Sequence, residues 1–171
     1  MIVNKRLFFL FLLFFSKILA NQDILTVAGG MNGLFHPKYR SFEFYLEYKW
    51  NDDVWKISPV VGAMSTSKGS FYGYGGFELN IHLDSFEVNP SFAAGGYIQG
   101  GGKNLGYPLE FRSGVRISYV LQNNHRIGLH FYHISNASFG NRNPGEESLL
   151  LCYSIPILRF KGSRQAKVQR N

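Results

Sequence analysis

The sequence predicts an all-β fold, an eight-stranded antiparallel transmembrane β-barrel that follows an N-terminal signal peptide. Three observations lead to this prediction. Apolar residues alternate with polar or charged residues in one segment after another, and the first twenty residues have the pattern of an export signal. The remaining length is close to what eight strands of about ten residues and their connections require. The many Phe, Tyr and Gly residues fit the same prediction.

Residues 1–20 are interpreted as a secretory signal peptide. Lys5 and Arg6 precede an apolar run from Leu7 to Phe15, and Ala20 lies before the expected cleavage site. The run is too short for a transmembrane helix, and no later stretch reaches 18 uninterrupted apolar residues. The chain is therefore expected to be exported.

Eight strands are predicted, at about residues 23–32, 41–50, 54–65, 70–83, 85–98, 109–120, 125–136 and 146–160. The sixth shows the pattern most clearly, because Phe111, Val115 and Ile117 share one face and the charged Glu110 and Arg112 lie on the other. A soluble β-sandwich is the alternative, since it would bury the same apolar face. The export signal and the lack of any helix to cover the strands favour a barrel with an apolar exterior. The charged side chains expected to meet inside it are Glu43, Glu47, Glu78, Glu110, Arg112, Arg116 and Arg126.

The predicted connections alternate between short and long. Residues 51–53, 84 and 122–124 form tight turns, whereas 33–40, 99–108 and 137–145 form longer loops. The longer loops are expected to face outside, as in outer-membrane barrels with both termini in the periplasm. Aromatic residues near the two ends fit two interfacial girdles: Trp50 and Trp55 at the inner end, and Phe35, Tyr39, Tyr107 and Phe139 at the outer end.

The formal net charge of +7 is not a property of the predicted barrel. Residues 1–20 carry three basic side chains and residues 161–171 carry four, whereas residues 21–160 hold eleven basic and eleven acidic side chains. The domain division is thus a signal peptide (1–20), an outer-membrane barrel (21–160) and a basic, solvated tail (161–171). A neutral barrel argues against nucleic acid as a partner.

The single cysteine and the scattered histidines give little sign of further chemistry. Cys152 has the parity of the interior face and is expected to be a small filler there, and a lone Cys excludes an internal disulfide. No metal-ligand cluster is evident, because the remaining histidines differ in strand and parity: His36, His82, His125 and His130. Each of the four is expected to be structural or exposed.

Polar residues that could form a hydrolase site lie at the loop ends of the last two strands. His133 and Ser135 continue the outward apolar series of the seventh strand, and Glu147 continues that of the eighth. A Ser and a His two residues apart span roughly 6.6 Å, and a hairpin centred on Gly140 would place Glu147 beside His133. The pattern indicates a triad with Ser135 as nucleophile, His133 as base and Glu147 as the orienting carboxylate.

A simpler interpretation is that these side chains are ordinary polar residues at the membrane interface, where their exposure is not costly. The charge near the outer loops favours a functional role, because basic residues outside suit a phosphorylated glycolipid. The candidate substrate-binding residues are Lys38, Arg40, Lys103 and Arg142.

The run His133-Ile134-Ser135-Asn136-Ala137, followed by residues 143–145 (Asn-Pro-Gly) and Glu147, resembles the active-site region of the lipid A 3-O-deacylase family, the PagL-type outer-membrane enzymes. The resemblance implies a Ser-His-Glu triad on the lipid-facing wall that removes the 3-hydroxyacyl chain at position 3 of lipid A, with no metal or other cofactor. It also implies that Asn136 helps to form the oxyanion hole. Glu146 is the neighbouring carboxylate, but parity and spacing favour Glu147.

One feature departs from that family, because such barrels usually end on an aromatic residue and here Phe160 is followed by the tail. The expected location is the outer membrane of a Gram-negative cell, with lipid A or lipopolysaccharide as substrate, membrane lipids around the barrel, no nucleic acid, and a homodimer left open. Two other functions stay open as well. The chain could be a non-catalytic barrel, such as an adhesin or anchor, or an acyl hydrolase or transferase of different specificity.

Overall fold

The computed structural model describes residues 22–51 and 56–158, which form one antiparallel sheet. The predicted signal peptide, the tail 161–171, and Asp52, Asp53, Trp55 and Phe160 lie outside the described residues. No helix in these ranges is long and apolar enough to cross a membrane. The strands are β1 (Gln22–Asn32), β2 (Ser41–Lys49), β3 (Ile57–Thr66), β4 (Phe71–Leu79), β5 (Ile81–Leu83), β6 (Phe86–Ile98), β7 (Leu109–Val120), β8 (Arg126–Ser135) and β9 (Glu146–Leu158).

The sheet closes on itself as a barrel. β1 pairs with β2 on one side and with β9 on the other, so the first and last strands are neighbours. The ladder between β1 and β9 runs from Gln22 opposite Leu158 to Asn32 opposite Ser148. Pairing of β4 with β6 completes the ring. The first and last strands of the sheet are therefore paired, and the predicted fold class is confirmed in place of the sandwich.

Nine strand segments make eight barrel strands because β4 and β5 belong to one ladder. Glu78 lies opposite Ser91 and Ile81 lies opposite Val88, which is the same register along β6. That register puts Pro90 opposite Leu79, and a proline has no N–H to donate to the Leu79 carbonyl. The Asn89 side chain supplies a donor to that carbonyl instead, at 3.4 Å. The predicted strand 70–83 is therefore one strand with a local break.

Alternation along the strands places apolar side chains outside and charged ones inside. The outward Phe44 and Leu151 expose 61% and 59% of their surface, whereas the inward Glu47 exposes 1%. A soluble protein buries its side chains in the opposite sense, so this wall is suited to hydrocarbon. Cys152 is buried inside, as predicted.

The interior is held by a chain of buried ion pairs. Glu47 accepts hydrogen bonds from Arg112 and Arg116, both at 3.0 Å. Arg116 also pairs with Glu78, and Glu78 accepts a bond of 2.8 Å from Lys49. The line continues through Glu87, whose carboxylate lies 3.6 Å from Lys49 and also pairs with Arg126. Three carboxylates thus share four cations.

Two of the predicted interior charges, Glu43 and Glu110, lie outside this chain of ion pairs. Glu43 accepts hydrogen bonds from Tyr132 and from the Ser148 hydroxyl, the latter at 2.7 Å. Glu110 is fully buried, and neither of its carboxylate oxygens has a hydrogen-bond partner within the described ranges. The Arg112 guanidinium lies 3.9 Å from the centre of the Tyr74 ring, so aromatic faces contribute to the interior network as well.

Replacing Arg116 with Met should lower the free energy of unfolding by about 3–5 kcal/mol, because it leaves Glu47 and Glu78 buried without their shared cation. Urea unfolding of the refolded barrel in detergent micelles, followed by tryptophan fluorescence, measures the change. Arg142→Met is the matched control at an exposed loop position and should change stability by less than about 0.5 kcal/mol. Equal stability of the two variants would show that the interior pairs do not hold the barrel together.

Candidate active site

The candidate site lies where β8 ends and β9 begins, at the base of the loop formed by residues 136–145. His133 and Glu147 are direct cross-strand partners. Both point outward, because their neighbours Ile134 and Glu146 are buried on the interior side. The strands pair at the register that the sequence predicts, with Glu147 on the outward face and Glu146 on the inward face.

The imidazole and the carboxylate are hydrogen-bonded. His133 Nδ1 lies 3.0 Å from Glu147 Oε1. The side chain of Glu147 is 17% exposed and that of His133 is 39% exposed. Because the carboxylate binds Nδ1, the second ring nitrogen, Nε2, is left for another group, which is the arrangement a general base needs.

The loop residue Gly145 makes room for this ring. A Cβ atom at position 145 would lie 2.4 Å from His133 Cε1 and 3.0 Å from Nε2, so any side chain there would displace the imidazole. Gly145 also has a φ of +54°, a left-handed conformation that favours glycine. Glycine is therefore favoured at position 145 both by the left-handed backbone and by the closeness of the His133 ring.

Ser135 is the last residue of β8 and lies on the same outward side as His133. It is half-buried and pairs across the sheet with Phe111 of β7. The Phe111 ring stacks with Phe92 at 6.1 Å and contacts Phe139 of the loop at 5.7 Å, as measured between ring centres. An aromatic surface thus adjoins the hydroxyl. A second outward serine, Ser113, lies directly opposite His133 on β7.

Asn136 lies immediately after Ser135 and is fully buried, and its side chain makes hydrogen bonds to two loops. Its Nδ2 donates to the carbonyl oxygens of Leu105 and Arg142, both at 2.8 Å, and an amide nitrogen has only two hydrogens. Its Oδ1 accepts from the Ser138 backbone N–H at 2.9 Å. In this structure Asn136 therefore joins the loop 99–108 to the loop 136–145.

The turn after Asn136 has an unusual backbone. Ala137 and Ser138 have φ values of 51° and 65°, in the left-handed region that residues with a Cβ seldom adopt. The Asn136 bonds described above hold that turn, together with a bond of 2.9 Å from the Phe139 N–H to the Asn136 carbonyl. Strained backbone beside a candidate nucleophile is a feature of functional sites.

Among the four predicted substrate-binding residues, Lys103 differs from the other three. It is 5% exposed, and its Nζ donates to the Gly145 carbonyl at 2.6 Å and to the Pro144 carbonyl at 3.3 Å. Lys103 therefore holds the loop behind His133. The substrate contact that its charge predicted is not the role that these bonds indicate. Lys38, Arg40 and Arg142 are exposed on the outer loops.

Sequence reasoning gave no role to His36, although its Nδ1 lies 3.8 Å from Glu147 Oε2. The proximity follows from barrel closure, which brings the loop after β1 against the start of β9. His130 is buried in the interior and His82 is exposed. Among the described residues no three His, Cys, Asp or Glu side chains form a group that could hold a metal ion.

Comparison with solved structures supports the fold. The chain resembles the crystal structure of the outer membrane enzyme PagL, with a TM-score of 0.61 and 21% identity over 78% of this chain and 99% of that one. It also resembles a de novo designed transmembrane β-barrel, with a TM-score of 0.51 and 11% identity over 79% of this chain and 96% of that one. Neisserial surface protein A gives the same TM-score of 0.51, with 8% identity over 79% of this chain and 97% of the other.

The sequence comparison identifies the family. No curated protein matches the chain. The family model described as Lipid A 3-O-deacylase (PagL) matches residues 29–156, which is most of the chain and includes every element of the candidate site. The chain belongs to the lipid A 3-O-deacylase (PagL) family and is an ester hydrolase.

Proposed function

We propose that this protein is an outer-membrane lipid A 3-O-deacylase that hydrolyses the ester-linked 3-hydroxyacyl chain at position 3 of lipid A by a Ser135-His133-Glu147 triad. The observation that carries the proposal is the hydrogen bond of 3.0 Å between His133 and Glu147 on the outward wall. Ser135 lies two residues further along the same face. Family membership supplies the reaction class and the substrate.

Each residue has a defined chemical step. Ser135 Oγ attacks the ester carbonyl while His133 Nε2 takes the hydroxyl proton, and the tetrahedral intermediate collapses to an acyl-serine. His133 gives that proton to the sugar oxygen as its bond to the acyl carbon breaks, so the sugar leaves with a free hydroxyl. Water then attacks the acyl-serine by the same route and releases the free 3-hydroxy acid. Glu147 keeps the proton of the neutral ring on Nδ1 and stabilises the imidazolium that forms in each step.

Asn136 is assigned to the oxyanion hole through the turn that it organises. Its side-chain donors are occupied by Leu105 and Arg142, and the N–H groups of Ser138 and Phe139 donate to Asn136 itself. The donor proposed for the developing oxyanion is therefore the Ala137 N–H of the strained turn. The left-handed conformation of the turn at Ala137 and Ser138 sets the direction of that N–H group, two residues after the proposed nucleophile. Asn136 then acts by holding that turn in place.

The outward wall below the site offers a surface for acyl chains. A shallow apolar groove of about 370 Å³ lies between β1, β2, β8 and β9, and its lining includes Val27, Phe42 and Leu151. Gly29 keeps it open, because a Cβ there would lie 3.0 Å from the Phe42 ring. Leu151 is four residues along β9 from Glu147, roughly 13 Å, which is within the length of a fatty acyl chain. The sugar and its phosphates would stay at the outer loops.

Lipid A from Gram-negative cells that express the chain should lose the mass of one 3-hydroxy fatty acid, and mass spectrometry measures this. Ser135→Ala should abolish the loss, because the nucleophile is gone. Ser113→Ala is the matched control, since this serine is the other outward hydroxyl beside His133, and it should keep activity. Heat-modifiable migration on a gel shows that each variant is folded.

The alternatives give different products in that experiment. Unchanged lipid A with folded wild-type protein in the outer membrane would support a non-catalytic barrel. Loss of acyl chains from phospholipid instead would support a hydrolase or transferase of other specificity. An inactive Ser113→Ala with an active Ser135→Ala would move the nucleophile to β7.

Glu147→Gln should slow deacylation by up to ~10⁴-fold, because the amide cannot stabilise the imidazolium. Glu146→Gln should change the rate little, since Glu146 is buried on the interior side. A deacylation assay in detergent between about pH 5 and pH 9 measures both variants. The wild-type rate should fall toward acid pH, because a protonated His133 cannot accept the Ser135 proton. A large loss of activity in Glu146→Gln would show that the orienting carboxylate is Glu146 and that its assignment to Glu147, on the outward face, is wrong.

The exposed basic residues are proposed to bind the phosphate groups of lipid A. Replacing Lys38, Arg40 and Arg142 together with Gln should raise KM about tenfold for phosphorylated lipid A and leave kcat unchanged, because charge-assisted bonds to phosphate are lost. Dephosphorylated lipid A is the matched substrate, and its KM should be the same for both proteins. Added salt should reduce the difference in KM between the variant and the wild type on phosphorylated lipid A. Equal KM values for phosphorylated lipid A would exclude these side chains from binding.

A further inference from the structure

The outer loop between β1 and β2 is fixed to the backbone of Glu147. The N–H groups of Gly33 and Leu34 both donate to the Glu147 carbonyl, at 3.0 and 3.1 Å. The loop then folds into successive turns, in which the His36 N–H donates to the Gly33 carbonyl at 3.1 Å and the Tyr39 N–H to the His36 carbonyl at 2.9 Å. The position of His36 is thus set by the same residue whose carboxylate orients His133.

The His36 ring faces the unused side of that carboxylate. Its Nδ1 lies 3.8 Å from Glu147 Oε2, whereas Glu147 Oε1 is bonded to His133. Both His36 Nδ1 and Glu147 Oε2 are buried atoms, and neither has a hydrogen-bond partner within residues 22–51 and 56–158. A buried acceptor and a potential donor therefore face each other across a gap that a small loop movement would close.

We propose that His36 is a positioning residue for the deacylase site. The Nδ1–H of its neutral ring donates to Glu147 Oε2 when a small movement brings the two atoms within hydrogen-bonding distance, and this bond fixes the rotation of the carboxylate. The terminal torsion of a glutamate is broad, so one hydrogen bond leaves it loosely defined and two define it. Glu147 then presents Oε1 to His133 throughout the reaction. The inference rests on the proposed function, since it acts through Glu147 on His133.

The first test compares two substitutions at position 36 in a detergent assay on lipid A. His36→Phe keeps a ring but removes the donor, and kcat should fall about tenfold with KM unchanged. His36→Asn offers an amide N–H close to the place of ring Nδ1 and should restore kcat to within about threefold of wild type. His82→Phe, at the exposed β5 position, is the matched control and should behave as wild type.

The second test asks whether His36 acts through Glu147. Ser135 reactivity is measured as the rate of labelling by a fluorophosphonate, which can be followed over long times in slow variants. His36→Phe should slow labelling of the wild-type protein about tenfold and have no further effect in the Glu147→Gln protein, because interacting residues are not additive.

Three results would overturn the inference. A higher KM with unchanged kcat would make His36 a substrate contact. An equal slowing of labelling by His36→Phe in the wild-type and Glu147→Gln proteins would make His36 a general support of the loop. A His36→Phe protein with wild-type kcat would exclude any role in the reaction. These results require an active wild type, so they are distinct from failure of the proposed function, in which wild-type protein itself leaves lipid A unchanged.

Discussion

The pairing of β1 with β9 is the constraint on which the rest of the structure depends. A sheet that faces hydrocarbon must satisfy its backbone groups internally, and only closure leaves no strand edge. The same pairing fixes the register of β9, so Asn32 lies opposite Ser148 and the loop after β1 reaches the Glu147 carbonyl. Closure therefore supplies both the stability of the wall and one side of the candidate site.

The interior network and the site are linked by the two-residue period of the strands. Along β9, Glu146 and Ser148 face the interior and Glu147 faces outward. A shift of β9 by one residue would turn Glu147 into the barrel and expose the Cys152 side. The buried hydrogen bond between Ser148 and Glu43 opposes that shift, because it would leave both groups without their partners. Contacts on the inside thus fix the orientation of the site on the outside.

Periodicity explains which features could be predicted from the sequence. The faces of the strands, the interior charges and the pairing of His133 with Glu147 follow from alternation and from the symmetric spacing about one hairpin. The contacts of His36, Lys103 and Asn136 could not be predicted, because each of them depends on the path of a loop, and loops show no sequence periodicity. The break between β4 and β5 depends on Pro90 lying opposite Leu79, which only the register reveals.

The site lies at a rim of the wall, where polar side chains and irregular backbone can be accommodated. β8 ends at Ser135, and shortly after it Ala137 and Ser138 have left-handed φ values. In the middle of the wall such a turn would leave unpaired backbone groups in hydrocarbon. At the rim the turn is held by Asn136, and the facing loop contributes Lys103 to the carbonyl of Gly145. The loops at this end are therefore part of the proposed site, because they fix Gly145 and Asn136, which flank the His133 imidazole and the proposed nucleophile Ser135.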